Sequence, residues 1–177
     1  MLIENGIYLI RTDSTSQQRI ILYKFHEDYP LVTGEHQLLE PLQYLCSKSE
    51  YQKMKDTPNA KLSVDRFWLD QTGSHDKARK AIQKFYTRVQ EANQFFYSYK
   101  EGWKTDRGMI YIVYGPPTYL QTEQAEEIWY YGDPGNLTTL KFKFIKQNNS
   151  ISHNDYKLDR SPLYKNSWTL AVSQWRK

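Results

Sequence analysis

The sequence predicts an α+β fold, a mainly antiparallel sheet packed by a long amphipathic helix and shorter helices. Three observations lead there. Segments rich in β-branched and aromatic residues open the chain and return after residue 108. Between them, Ala78, Ile82, Phe85, Val89, Ala92 and Phe96 recur at steps of four and three, an apolar seam about five turns long. The resulting order of strands, helices, strands and a last helix is that of a segregated α+β protein rather than of repeated strand–helix units.

Taken in order, "GIYLIRTD" and "RIILYKFHEDY", separated by "DSTSQQ", read as a hairpin with strands at residues 6–12 and 18–26. Pro30 and Gly34 break that pattern. They divide the chain into an N-terminal hairpin unit, residues 1–34, readable as the end of a preceding domain packed on the rest, and an α+β domain over residues 35–177. "QLLEPLQYLC" fits either an irregular apolar segment or a short helix with Pro41 in its first turn. Ser47 and Glu50 form a capping box for a short helix ending before "DTPN". Asn59 can cap the next helix, Gly73 can end it, and Ser74 can cap the long one, about Ser74 to Tyr97.

"GMIYIVYG" has two apolar faces, Met109, Tyr111 and Val113 against Ile110, Ile112 and Tyr114. That predicts a strand interior to the sheet, with the Ala78–Phe96 seam packed on a sheet that contains it. "EEIWYYGD" is the next strand, and "DPGN" is a turn. "TTLKFKFIK" alternates with Leu140, Phe142 and Phe144 inward, and its outward lysines fit an edge strand. "KQNNSISHNDYKLDRSP" reads as irregular, and "LYKNSWTLAVSQWRK" as a terminal helix carrying Trp168 and Trp175 toward the sheet.

Composition limits the function classes. At 177 residues, with 39% hydrophobic and 25% charged residues, the chain suits one globular domain. Folding of such a chain hides about 70% of its extended surface. Fifteen Tyr, seven Phe and five Trp make the aromatic share 15%, suited to half-buried strands and binding surfaces alike. The net charge of +4 is spread out. Lys77, Lys80, Lys84 and Arg88 do share one helix face, but Glu91 closes the stripe, so a solvated face is favoured over nucleic-acid binding. One cysteine, Cys46, excludes an internal disulfide and Cys-rich zinc sites, and its apolar neighbours predict an inert thiol. No apolar run is long enough to span a membrane. The start "MLIENGIYLIRTD" lacks the basic and apolar regions of a signal peptide, which leaves a cytoplasmic protein or a piece of a longer exported one.

No catalytic set can be assembled from spacing. The four histidines are scattered, P-loop, nucleophile-elbow and dinucleotide motifs are missing, and no cofactor or metal is expected. The candidate region is "GWKTDRGMIYIVYGPP", residues 102–117. Structurally, Gly102 allows a tight approach that turns Trp103 onto the core, Thr105 and Asp106 bond backbone in a bend, and Arg107 pairs with Asp106, Asp65, Glu101 or Glu127. Gly115, Pro116 and Pro117 then stop the strand. Functionally, Trp103, Thr105, Asp106 and Arg107 could gather with Tyr114 and Trp129 as an aromatic wall with polar groups, the usual look of a small-molecule or glycan pocket. A glycoside-type hydrolase pairing Asp106 with Asp65 or Glu101 is the alternative.

With "EIWYYG" after it, that stretch resembles the signature of the GWxTD domain family, whose name letters fall on Gly102, Trp103, Thr105 and Asp106. The upstream "FWLDQTGSHDKARKAIQKFYTRVQEANQFF" is similar to the family's lead-in helices, and the likeness covers roughly residues 38 to 177. His75 and Asp76 stand where many members resemble "NE", so a role built on that glutamate does not carry over. The resemblance implies an exported, envelope-associated protein of diderm bacteria, periplasmic or at the cell surface. It also implies the C-terminal part of a longer chain and a binding or scaffold module that contacts an envelope protein or glycan.

Overall fold

The long apolar seam becomes a helix whose ends are set by its flanking residues. In the computed structural model, which describes residues 4–11, 13 and 18–177, Gly73 adopts φ 67° and stops the preceding helix. The Ser74 side chain then accepts the Lys77 N–H at 3.3 Å, opening α4 (His75–Phe96). Before it come β1 (Gly6–Arg11), β2 (Arg19–Lys24), α1 (Glu35–Leu39) running into a 3-10 turn at Glu40–Tyr44, α2 (Lys48–Lys55) and α3 (Ala60–Thr72). The capping box of Ser47 with Glu50 and the Asn59 cap form as the sequence predicts. After α4 come a 3-10 turn at Gly102–Lys104, α5 (Asp106–Tyr114), β3 (Tyr119–Thr122), β4 (Glu126–Tyr131), β5 (Leu140–Lys146), β6 (Tyr156–Leu158) and α6 (Tyr164–Trp175).

The fold class is α+β, with two antiparallel sheets. β1 and β2 pair alone, from Gly6 opposite Lys24 to Arg11 opposite Arg19. Thr12, the last residue of the first predicted strand, and residues 14–17 of its connection lie outside the described residues. The second sheet has the order β3-β4-β5-β6, with Trp129 opposite Phe142 and Glu127 opposite Phe144.

Residues 109–114 are helical, not a strand, and this is the main correction to the sequence reading. Thr105 caps α5 by accepting the Gly108 N–H, and Asp106 places a negative charge in its first turn. Both faces are apolar because the helix is covered on both sides. α4 lies against one side, while α6, β6 and the sheet's aromatic rings lie against the other. A fully buried helix and a fully buried strand share the same unbroken apolar run. The seam of α4 therefore packs on α5, α3 and the Gly102–Lys104 turn rather than on the sheet. Only its end reaches the sheet, where Phe96 meets Trp129 at 5.2 Å between ring centres.

β5 is also not an edge strand. The short β6, hidden in a segment rich in Asn and Ser, pairs along it and leaves β3 and β6 at the margins. Its alternation nevertheless holds, since Phe142 and Phe144 are fully buried. Among the described residues no helix is long and apolar enough to cross a membrane.

The terminal helix is pinned at its end. Glu50 accepts two bonds from the Arg176 guanidinium, at 2.5 and 3.2 Å, and one from the Ser47 N–H. These bonds, the Arg176 ones first, hold its pKa down to about 2 from 4.5. A depressed folded-state pKa gives stability that is present above the ordinary value and lost as pH falls through the depressed one. Urea titrations of the native chain and Glu50→Gln should therefore differ at neutral pH. The difference should shrink below pH 4.5 and disappear only below about pH 2. A gap that stays constant with pH would contradict this assignment.

Candidate functional site

Two glycines bring α4, the Gly102–Lys104 turn and α5 into backbone contact. A Cβ on Gly102 would lie 1.8 Å from the Ala92 carbonyl oxygen of α4, and one on Gly108 would lie 2.0 Å from the Gly102 carbonyl oxygen. Neither has a positive φ, so close backbone approach is what requires glycine here. Asn93, fully buried on α4, accepts the Trp103 N–H at 3.1 Å and donates to the Pro30 carbonyl at 3.1 Å. The Gly102 N–H reaches the Tyr29 hydroxyl at 3.3 Å. Residues 29–30, 93 and 102–103 thus form one bonded unit.

The side chains of the motif extend from this unit in different directions. Trp103 is buried edge-on to Tyr44, whose hydroxyl donates to the Trp103 carbonyl at 2.8 Å. Burial, with the Asp106 charge adding, pushes the Tyr44 phenol pKa up, so it serves as a neutral donor. The Thr105 hydroxyl donates to the Gly102 carbonyl at 2.7 Å and accepts the Gly108 N–H at 3.0 Å. Asp106 uses both oxygens on the far side of the chain. One accepts the Leu158 N–H at 2.8 Å, and the other accepts from Arg160 at 2.9 Å.

Arg107 is 5% exposed and pairs with Glu127 at 2.9 Å. It also donates to the carbonyl and side chain of Asn154, and its guanidinium lies 4.1 Å from the Tyr156 ring centre and 5.3 Å from that of Phe96. Of the partners considered from sequence, Glu127 is the one it takes.

The other residues of the candidate set lie elsewhere. Trp129 is buried against Phe96, Tyr111 and Phe144, with its indole N–H on Glu127. Tyr114 sits at the opposite end of α5, among Tyr131, Phe142 and Trp168. Gly115, at φ 91°, ends α5, and exposed Pro116 leads toward β3. Trp103, Asp106, Tyr114 and Trp129 therefore do not line one common cavity. Among the described residues no cluster of His, Cys, Asp and Glu could hold a metal ion.

A smaller hollow lies against Trp103 and Lys104, and a larger concavity lies one step beyond Asp106. Met109 and Ile110 of α5, Phe142 and Leu158 of the sheet, and Tyr164 and Trp168 of α6 line a groove of about 850 Å³. Arg160, held by Asp106, stands with Ser161 and Lys165 at its rim. The groove escapes the sequence reading because residues 146–162 read as irregular and the candidate aromatics centre on Trp103. The signal available was Tyr164 and Trp168, four apart and so on one face of the last helix.

A helix sandwiched between a long amphipathic helix and an antiparallel sheet, locked by a buried Gly-Trp-x-Thr-Asp-Arg corner, defines the structural class. The chain belongs to the GWxTD domain family, whose model matches residues 6–177. That match includes both strands of the N-terminal hairpin and extends the likeness read from residue 38 onward. No curated protein matches the chain, and no solved structure does.

The corner makes charge and hydrogen bonding separable by substitution. Arg107→Met should cost about 3 kcal/mol, because it leaves the half-buried Glu127 and Asn154 without their cation. Asp106→Ala should cost about 1–3 kcal/mol by freeing the Leu158 N–H. Asp106→Asn keeps an acceptor and loses only the pair with exposed Arg160, a loss of about 0–1 kcal/mol. Chemical denaturation of the three variants checks the order; equal losses for Asp106→Ala and Asp106→Asn would contradict it.

Proposed function

We propose that this chain is a binding module of the cell envelope that holds an apolar segment of a partner protein in the groove between α5 and α6. The carrying observation is the groove itself. Its floor is aliphatic and aromatic, and its polar lining is confined to Arg160, Ser161, Lys165 and Thr169. A concavity of this size with few polar groups at its edge is the common form of a recognition site. The two cations favour a segment that carries an acid beside its apolar anchor. A protein segment is favoured over a glycan because none of the lining residues is Asp, Glu, Asn or Gln, the planar groups that pair with sugar hydroxyls. The envelope part of the reading is supported by the family resemblance.

The motif residues act here through position. Asp106 fixes Arg160 at the rim, and α5 presents Met109 and Ile110 to the floor. The reading needs no bond-making group, and both Asp106 oxygens are already engaged.

Panning a random peptide library against the chain should enrich sequences with an apolar anchor next to Asp or Glu. Trp168→Ala and Thr169→Arg should each weaken a selected peptide about tenfold or more, a change of about 1.4 kcal/mol, with the fold retained by circular dichroism. No enrichment, or equal binding to both variants, would overturn the groove reading; saturable binding of cell-wall glycan fragments in its place would transfer the site to sugars. Fractionation of cells producing the tagged full-length protein tests the location, and recovery in the cytoplasm would overturn it.

A further inference from the structure

Further along α5 and α6 from that groove, toward their C-terminal ends, lies a second concavity of a different character. Its volume is about 330 Å³, and it lies between α4, the C-terminal turn of α5 and the end of α6. The four basic residues that share one face of α4, Lys77, Lys80, Lys84 and Arg88, all line it, and Lys177 approaches from the other wall. No acidic residue contributes to the lining. Among the described residues no ion pair involves any of these five cations. Glu91, the acid that closes the stripe in sequence, accepts the Tyr111 hydroxyl at 2.9 Å instead.

Two of the cations are held in place. Arg88 is half-buried, and one of its nitrogens donates to the carbonyls of Ile112 and Val113 at 3.0 and 3.2 Å. Its guanidinium carbon lies 5.1 Å from the Trp175 ring centre, and the Lys84 ammonium lies 5.2 Å from it. Trp175 is itself fixed, since its indole N–H donates to the Val113 carbonyl at 3.0 Å. Gly115 leaves room for the Arg88 side chain, because a Cβ there would lie 2.4 Å from an Arg88 nitrogen. Burial lowers the Arg88 pKa, as it does for a cation without a carboxylate bonded to it.

Like charges three and four residues apart on a helix repel. Here three successive pairs, 77 with 80, 80 with 84 and 84 with 88, do so around one concavity whose lining holds no acidic residue. A compact anion with more than one negative charge relieves all three. A phosphate monoester carries nearly two negative charges and three acceptor oxygens, which suits several ammonium groups and a guanidinium together.

We propose that the concavity between α4 and the ends of α5 and α6 is a binding site for a phosphate-bearing ligand. The phosphate sits beside Lys80, Lys84 and Arg88, and the remainder of the ligand points outward between α4 and α6, past Lys77. The phosphate can belong to a soluble monoester or to a lipid headgroup, and the chemistry recognised is the same.

The full chain, labelled with ¹⁵N, is titrated with inorganic phosphate and with glucose 1-phosphate against sodium chloride at matched ionic strength, following the Trp175 indole N–H by NMR. Flotation with vesicles containing phosphatidic acid, whose headgroup is itself a phosphate monoester, forms the second arm, with phosphatidylcholine vesicles as control. Saturable shifts at Trp175 are expected with either phosphate and not with chloride, or flotation with the anionic vesicles. Lys80→Glu/Lys84→Glu should weaken whichever binding is seen at least tenfold, while Lys157→Glu, on β6, should leave it unchanged. Lys80→Gln/Lys84→Gln, which removes charge without reversing it, should give a smaller loss in the same direction. Shifts in the first arm assign the phosphate to a soluble ester, and flotation alone assigns it to a headgroup. Binding in neither arm, an equal response to chloride, or binding unaltered in the Lys80/Lys84 variants would overturn the proposal.

Discussion

The contact between Gly102 and the Ala92 carbonyl sets the geometry on which the rest of this structure depends. It brings the turn before α5 into backbone contact with α4, closer than any side chain would allow. Asn93, one residue further along α4, then converts that contact into a directional one by bonding Trp103 and Pro30 together. Once the start of α5 is fixed against α4, its direction is fixed as well. Its outer face then lies under the rings of Trp129 and Phe142. Helix packing alone leaves some freedom in the crossing angle. A backbone contact without side chains, held by a buried amide, restricts it further.

The sheet is attached to this corner mainly through charge and aromatic faces. A guanidinium as buried as Arg107 is destabilising unless its donors and its charge are both satisfied. Here Glu127 comes from β4, Asn154 from the loop before β6, and two rings cover the planar faces. Arginine suits this place better than lysine because its flat, forked donor set can bond outward in the plane while stacking above and below it. The neighbouring acid, Asp106, points the other way to β6 and Arg160, so two consecutive charged residues bind two different parts of the sheet layer.

Much of the helical half was legible in the sequence, because its signals are local. Ser47 with Glu50, Asn59, Gly73 and Ser74 each act within one turn, and the seam of α4 repeats often enough to define its period. The strands β4 and β5 were legible for the same reason. What failed was α5. An apolar run of six residues, Met109–Tyr114, covered on both sides has no polar face from which to read a period. The Thr105–Asp106 pair before it was read as a bend, although a threonine followed by an acid is also how a helix begins. β6 was hidden differently. Its three residues pair with β5 through backbone, in a segment whose polar composition reports the loop around it. The motif residues themselves were found, but the groove beside them is assembled from α5, the sheet and α6, which no local pattern connects.

The reach of Asp106 and Arg107 also bears on the order in which the chain can organise itself. The bond from Asp106 to Leu158 spans 52 positions, and that from Arg107 to Asn154 spans 47. By contrast, α3 and α4 meet across a single tight turn at Gly73, and α4 and α5 across about ten residues. During synthesis from the N-terminus, everything up to α5 can emerge while the Arg107 guanidinium still has neither Glu127 nor Asn154 to meet. Closing long loops is entropically slower than closing short ones. The corner is therefore a late checkpoint, because its set of bonds is complete only when the last strand has reached its register.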